Sequence, residues 1–255
     1  MNNNKLKILL FDLETAPMLA YVWRPTDDYV QSERLINDTW VMCWAAKWAD
    51  STKTMTGLVT PDEAIAQDDS RIVKDLAELM READILVAHN GDRFDIPKIN
   101  TRLLLMGLDP LGPVQSIDTL TLAKKNFDLP YNKLDYLAEM FGFGNKIKTG
   151  FQLWKDCYHG EEKALKQMSK YNVKDVDLLE KVFNRLKPYV KNLKRLYEPE
   201  SAGEFACPFC GSNDLAKRGV YRTQSSTFQR YCCGLCGKYS RLRTSFKEKF
   251  SVVPL

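Results

Sequence analysis

Asp12 and Glu14 stand two residues apart where an apolar run, Ile8-Leu9-Leu10-Phe11, comes to its end. Side chains alternate along a strand, so both carboxylates point to one face. Two acids side by side on a buried strand are costly to keep ionised unless a cation compensates them. An exposed strand end with solvated acids is the alternative. Asp95 lies two residues before Pro97, at a helix start, where capping is a common carboxylate role. Tyr171 and Asp175 are four residues apart and share one face of a long helix. Taken alone, Tyr171 also suits an ordinary core position. Asp118-Thr119 follows a strand and reads as a structural helix cap. Clustered carboxylates offer hard oxygen ligands, the kind that suit Mg²⁺ or Mn²⁺. His89 reads as a strand-end residue, and His159 falls in a loop.

A second constellation is built from sulfur. Cys207-Pro208-Phe209-Cys210 is followed by Cys233-Gly234-Leu235-Cys236. Each CxxC pair supplies two thiolates from one tight turn, and two pairs close a tetrahedral Zn²⁺ shell of the structural kind. Gly211 and Gly237 directly after each pair let the backbone bend near the metal. Cys232 is adjacent to Cys233 and offers a rival spacing; a disulfide scaffold is the other alternative. Cys43 and Cys157 stand apart and read as small apolar core residues.

The elements that must position these groups follow from periodicity and turn chemistry. Strands are expected at Lys5–Phe11, Trp40–Trp48, Lys53–Leu58, Ile85–Ala88 and Val114–Ile117. Thr60-Pro61-Asp62-Glu63 has capping-box spacing with Pro in the first helical position. Ile72, Val73, Leu76, Leu79 and Met80 form a one-sided helical stripe. Further helices are expected from Pro97 to Gly107, around Leu120–Ala123, Leu134–Met140 and Ala164–Leu186, and from Pro188 to Tyr197. Hairpins join antiparallel strands and helical crossovers join parallel ones. The order therefore gives an α/β fold: a mixed five-stranded sheet flanked by helices. The expected organisation is a domain over residues 1–197, a linker over 198–206 and a small cysteine module over 207–255.

Three short motifs occur in order: Asp12-Leu13-Glu14, then Asn90-Gly91-Asp92-Arg93-Phe94-Asp95, then Tyr171-Asn172-Val173-Lys174-Asp175. Together they resemble the three exonuclease motifs of the DnaQ-like, or DEDD, 3′–5′ exonuclease superfamily. The Tyr-x-x-x-Asp form is similar to the DEDDy branch, which includes the proofreading domains of family B DNA polymerases. The resemblance covers roughly residues 5 to 190 and implies an RNase H-like fold, in agreement with the strand order. It implies that Asp12, Glu14, Asp95 and Asp175 surround two divalent cations, with Asp12 bridging both. Glu14 and Asp175 would complete one shell, and Asp95 would support the other. Tyr171 would orient the attacking water, and Asn90 and Phe94 would lie near the terminal nucleotide. The cysteine module resembles a zinc ribbon, with Tyr231-Cys232-Cys233-Gly234-Leu235-Cys236-Gly237-Lys238 as its second knuckle. That alignment places Cys232 outside the ligand set.

The implied activity is a stand-alone, metal-dependent 3′–5′ exonuclease acting on nucleic acid, DNA favoured. A structure-specific endonuclease or junction resolvase and a non-catalytic binding protein are the alternatives. Charge agrees with a polyanionic partner. Residues 201–255 carry nine Lys/Arg against three Asp/Glu, whereas residues 1–200 carry 28 against 30. In the basic tail Tyr221, Phe228, Tyr231, Tyr239 and Phe246 are interleaved with the cations, as rings that stack on bases would be. Docking of replication or repair proteins on the ribbon is the other use of such a surface.

Composition excludes several classes. Of 255 residues, 44% are apolar, 27% charged and 11% aromatic, which is globular rather than disordered. A domain of about 190 residues buries roughly 70% of its unfolded surface and needs no staples. No apolar run approaches membrane-spanning length, and the start lacks a signal-peptide core. Tight CxxC pairs in an odd total of seven cysteines fit a reducing, cytoplasmic compartment.

Overall fold

The computed structural model describes residues 6–26, 29–49, 51–145, 147, 149–190, 206–209, 212–224, 226–235 and 237–242. The chain divides into two compact units, Lys5–Val190 and one made mainly of Lys191–Leu255. The expected linker residues Glu198–Gly203 lie outside the described residues.

The first unit opens with strand β1 (Ile8–Thr15), a short hairpin β2 (Leu19–Ala20) and β3 (Leu35–Asn37), then β4 (Val41–Trp48) and β5 (Thr54–Leu58). Helices α1 (Pro61–Ala66) and α2 (Ser70–Glu82) lead to β6 (Ile85–Ala88). Next come α3 (Asp95–Leu105), β7 (Gln115–Asp118), α4 (Thr119–Asn126), α5 (Leu134–Met140), α6 (Phe151–Tyr158) and α7 (Glu162–Leu186). The main sheet has the order β5-β4-β1-β6-β7. β4 is antiparallel to β1 and β5, whereas β6 and β7 run parallel to β1. This is the mixed five-stranded sheet with flanking helices that the strand order predicts, and the RNase H-like fold that the motif resemblance implies.

Several boundaries differ from the sequence expectation. β1 continues to Thr15 rather than ending at Phe11, because its antiparallel pairing with β4 persists through Glu14↔Cys43. Asp12 and Glu14 are therefore inside the sheet, not beyond it. The hairpin β2–β3 and the helix α6 have no counterpart among the expected elements. The helix expected from Pro188 is a single 3₁₀ turn, Lys187–Tyr189, and the rest of that stretch lies outside the described residues. Pro188 fixes the turn but leaves no amide for an α-helical bond.

Alternation along β1 sorts its two faces. Leu9, Phe11 and Leu13 join the buried cluster that contains Ile72, Leu76 and Met80 of α2. Leu10, Asp12 and Glu14 therefore face the other way. Helix α7 lies along β1, β4 and β5, tied down by Lys47 of β4, whose Nζ stands 2.5 Å from Glu180 Oε2. A fully buried carboxylate, Asp69, accepts from the Val41 amide at 2.8 Å and from Arg102 at 2.7 Å, joining α3 to the start of β4.

On the α2 side Trp44 donates from Nε1 to the Ile72 carbonyl at 2.7 Å. Gly57 sits opposite Trp44 across β4–β5, and a Cβ there would stand 2.2 Å from the indole nitrogen. The indole can pack flat only because this strand position has no side chain. Gly57→Ala is expected to displace the ring and cost about 1–3 kcal/mol, the usual range for overpacking. An unchanged urea midpoint for that variant would show that the ring has room to move.

A candidate metal centre on the central strand

The site begins where one of β1's neighbours stops. β6 pairs with β1 only from Ile8↔Ile85 to Leu10↔Val87, whereas β4 continues alongside. Beyond Leu10 one edge of β1 lacks a strand partner. There the Leu13 amide donates instead to Asp95 Oδ1, at 3.2 Å. Asp95 is the first residue of α3 and is 2% exposed. Its carboxylate accepts from its own first-turn amide as well as from Leu13, so the helix-start role and the link to β1 coexist. Its carboxylate completes the backbone between Asp12 and Glu14.

The turn that delivers Asp95 is tightly specified. Asn90 adopts a left-handed φ of 73°, a conformation Asn tolerates better than most residues. The Phe94 and Arg93 amides donate back to the Asn90 carbonyl, and the Ile96 amide to Gly91. A Cβ on Gly91 would stand 2.5 Å from the Ala88 Cβ, so only glycine fits. Asp118 accepts from Leu120 and Thr121 as the cap of α4 and also from the Asn90 amide. It is the structural residue its sequence context suggests, and it pins the loop as well. Phe94 is 39% exposed at the loop's end. His89 bonds Thr119 Oγ1 at 2.9 Å, which fits its strand-end reading.

Helix α7 brings the remaining acid. Asp175 is buried, and ligand oxygens of Asp12, Glu14 and Asp175 all lie within 4.8 Å of one another. Asp177, two residues on, is half-buried and stands outside this group. Small residues oppose the strand acids across β4, Ala45 facing Asp12 and Cys43 facing Glu14. Burial, reinforced by the charge of Glu14, pushes the Cys43 thiol well above its ordinary pKa. Cys43 is thus a neutral filler, as expected. Burial likewise raises the Asp95 carboxyl well above the usual carboxylate range, with the Asp12 charge adding to it. A site of this kind holds its acids ionised together only when positive charge is supplied. The donor set is all oxygen, partly buried and convergent, which fits hard divalent cations such as Mg²⁺ or Mn²⁺.

Two residues of the site escape the motif reading. Asn172 is fully buried on α7 and its Nδ2 donates to Asp12 Oδ2 at 2.7 Å. Its position three residues before Asp175, on the same helix face, is the signal that could have found it. Trp154 meets Tyr171 edge-on, with ring centroids 6.1 Å apart. Trp154 belongs to α6, which is docked by Tyr158: the phenol oxygen accepts from Asn37 at 2.7 Å and from Gln67 at 2.8 Å.

Comparison with known proteins places this geometry. Residues 37–187 match the RNase_H_2 family of the RNase_H superfamily. The chain belongs to the RNase H superfamily. It is similar to a DNA polymerase of Thermococcus aggregans, 21% identical over an alignment of 198 positions that covers 68% of this chain and 10% of the polymerase. Among solved structures it is similar to the family B DNA polymerase of the hyperthermophilic archaeon Pyrobaculum calidifontis. That likeness has a TM-score of 0.52 and 20% identity, over 72% of this chain and 25% of the polymerase. The chain thus spans a quarter or less of these polymerases. This superfamily of nucleases uses divalent metals; Asp95 and Asp175 lie within the matched residues 37–187, and Asp12 and Glu14 precede them. Among the described residues no helix is long and apolar enough to cross a membrane.

Asn172 orients one ligand oxygen without belonging to the acid group itself. Asn172→Ala is expected to weaken Mn²⁺ binding about 10-fold, the lower range for loss of an outer-shell partner. Calorimetric titration reads this directly, and equal affinities would show that Asp12 holds its place unaided.

The second unit is a three-stranded antiparallel sheet in the order β10-β9-β8, from β8 (Leu215–Arg222), β9 (Thr227–Cys233) and β10 (Tyr239–Arg241). Cys207 and Cys233 are buried; Cys210 and Cys236 lie outside the described residues. The Phe209 amide donates to Cys207 Sγ at 3.4 Å, a bond that favours a thiolate. The Gly237 amide closes a turn onto the Cys233 carbonyl at 2.8 Å, with Gly237 at a φ of 68°. Cys232 is less buried, and its thiol donates to the Gly237 carbonyl at 3.4 Å.

Proposed function

We propose that this protein is a metal-dependent 3′–5′ exonuclease that hydrolyses phosphodiester bonds at the ends of nucleic acid strands. The observation that carries the reading is the meeting of Asp12, Glu14 and Asp175 within 4.8 Å, with Asp95 bonded to the backbone between the first two. These four acids would hold two Mg²⁺ or Mn²⁺ ions. Such a pair neutralises the phosphate, lowers the pKa of water and stabilises the leaving 3′ oxygen. The chain's own residues do the rest. Asn172 keeps Asp12 turned toward the site. Tyr171, backed by Trp154, orients the attacking water, and Asn90 and Phe94 border the terminal nucleotide. DNA is the favoured substrate because the similar proteins are named DNA polymerases.

We further assign one structural Zn²⁺ to Cys207, Cys210, Cys233 and Cys236, in a ribbon that helps the protein hold nucleic acid. The buried pair Cys207 and Cys233 and the amide-to-sulfur bond at Cys207 support this donor set, and the alternation of Cys232 to the face of β9 opposite Cys233 supports its exclusion.

The deciding experiment uses 3′- and 5′-labelled single- and double-stranded DNA and RNA, with and without Mg²⁺. Stepwise shortening from a free 3′ end is expected. Cutting of circular or end-blocked strands would instead make the protein an endonuclease. Asp12→Ala and Asp175→Ala should each abolish cleavage with the fold and strand binding retained, and persistent cleavage by either variant would remove the site. Tyr171→Phe should lower kcat on the order of 10²-fold with little change in KM; an unaltered rate would reduce Tyr171 to packing.

Metal analysis of the reduced, purified protein should return one zinc per chain. Cys233→Ser is expected to lose it and Cys232→Ser to keep it; the reverse pattern would move the ligand to Cys232.

A further inference from the structure

One face of the three-stranded sheet carries rings and guanidinium groups without an assigned task. Strand register places them together. Tyr221 pairs with Phe228, Arg241 pairs with Arg230, and Tyr239 pairs with Cys232. Cross-strand partners share a face, as do residues two apart. Phe228, Arg230, Tyr221, Tyr239 and Arg241 therefore line one side. Cys233 and its partner Leu215, together with Tyr231, belong to the other. The rings on the first face are not a buried core: Tyr221 is 47% and Tyr239 56% exposed.

The cations there are stacked and held. Arg241 lies 3.9 Å from the Phe228 ring centroid and 5.7 Å from that of Tyr221. Arg230 lies 5.0 Å from the Tyr239 centroid, and its Nε donates to the Arg218 carbonyl at 2.8 Å. That carbonyl is offered where the β8–β9 register shifts between Lys217 and Val220, beside Gly219 at a φ of 72°. Both guanidinium planes are thus ordered before any partner arrives, which lowers the entropic cost of binding. Charge is also sorted. Lys217, Arg218, Arg222, Arg230, Lys238 and Arg241 face a single acid among the described residues of this unit, Asp214. Its carboxylate is not on the ring face but against Gly234, where a Cβ would stand 1.9 Å from Oδ2.

We propose that this face, Tyr221–Phe228–Arg230–Tyr239–Arg241, is a stacking platform for single-stranded nucleic acid. Exposed rings accept unpaired bases irrespective of sequence, and the two arginines meet the phosphates between them. A duplex keeps its base faces covered and offers only its phosphates. The inference rests on the nuclease reading for the assignment of this protein to nucleic acid; it adds a strand-gripping surface carried by the second unit.

The test is fluorescence anisotropy of the full-length protein with labelled oligo-dT, oligo-rU and a DNA duplex, in buffer without divalent metal, over a range of salt. Wild-type protein is expected to prefer the single strands. Tyr239→Ala and Tyr221→Ala should each weaken single-strand binding roughly tenfold, as loss of one stacked base does. Arg241→Ala and Arg230→Ala should each lower the salt slope by about 0.7. Arg241→Lys should keep the slope and lose affinity, because an ammonium group carries the charge without the plane. Retained zinc content and an unchanged melting curve show which variants are folded, and only those are compared. Equal binding by all folded variants, preference for the duplex, or binding of acidic peptides in place of oligonucleotides would overturn the proposal. Cleavage assays separate the two readings. If strands are trimmed at unchanged KM in the ring variants, the platform fails and the nuclease stands. If wild-type protein trims nothing while the variants still lose strand binding, the nuclease fails and the platform stands.

Discussion

The bond from the Leu13 amide to Asp95 is the constraint on which the candidate metal centre depends. A parallel neighbour that ends at Ala88 leaves the last part of β1 open on one edge, and an amide on that edge must be satisfied. Here the partner is a carboxylate, not a carbonyl. The choice brings a third negative group against two strand acids already side by side. Its burial raises the Asp95 carboxyl well above its ordinary range. The arrangement is stable as a binding site and costly as a packed interior, the signature of a centre built to receive positive charge.

The rest of the first unit serves to hold that arrangement. Gly91 has no room for a side chain beside Ala88, and Asn90 takes the left-handed turn that starts α3 at Asp95. Lys47 and Glu180 fix α7 onto β4, which brings Asp175 and Asn172 over β1. Tyr158 gathers Asn37 and Gln67 and so seats α6, which puts Trp154 against Tyr171. Each contact is structural by itself. Together they bring the end of the first strand, the start of the third helix and the middle of the last long helix of this unit to one place.

The second unit follows a different economy. Its three strands are mostly exposed, and a sheet of this size buries too little apolar surface to be stable unaided. Buried Cys207 and Cys233 at its knuckle turns are the groups through which a metal would supply what the core lacks. With stability supplied there, the other face is left free to carry exposed rings and cations.

Much of the fold was legible in the sequence, because strands and helices leave periodic apolar patterns. The limits of β6 and α5, the capping box at Thr60 and the five-stranded sheet all follow from local chemistry. Spacing placed Asp12 and Glu14 on one strand face and Tyr171 and Asp175 on one helix face, but only the resemblance of the three motifs taken together gathered the four acids into one candidate site. Local pattern could not extend β1 to Thr15, since that depends on pairing with β4. It gave no sign of α6, whose stripe rests on few residues, or of the hairpin β2–β3. Nor could it show that Asp95 serves the backbone of another element, that Asn172 reaches Asp12 across 160 positions of chain, or that Tyr221 and Arg241 share a face. Those facts depend on which segments meet, and that is decided by the global packing of the sheet and its helices.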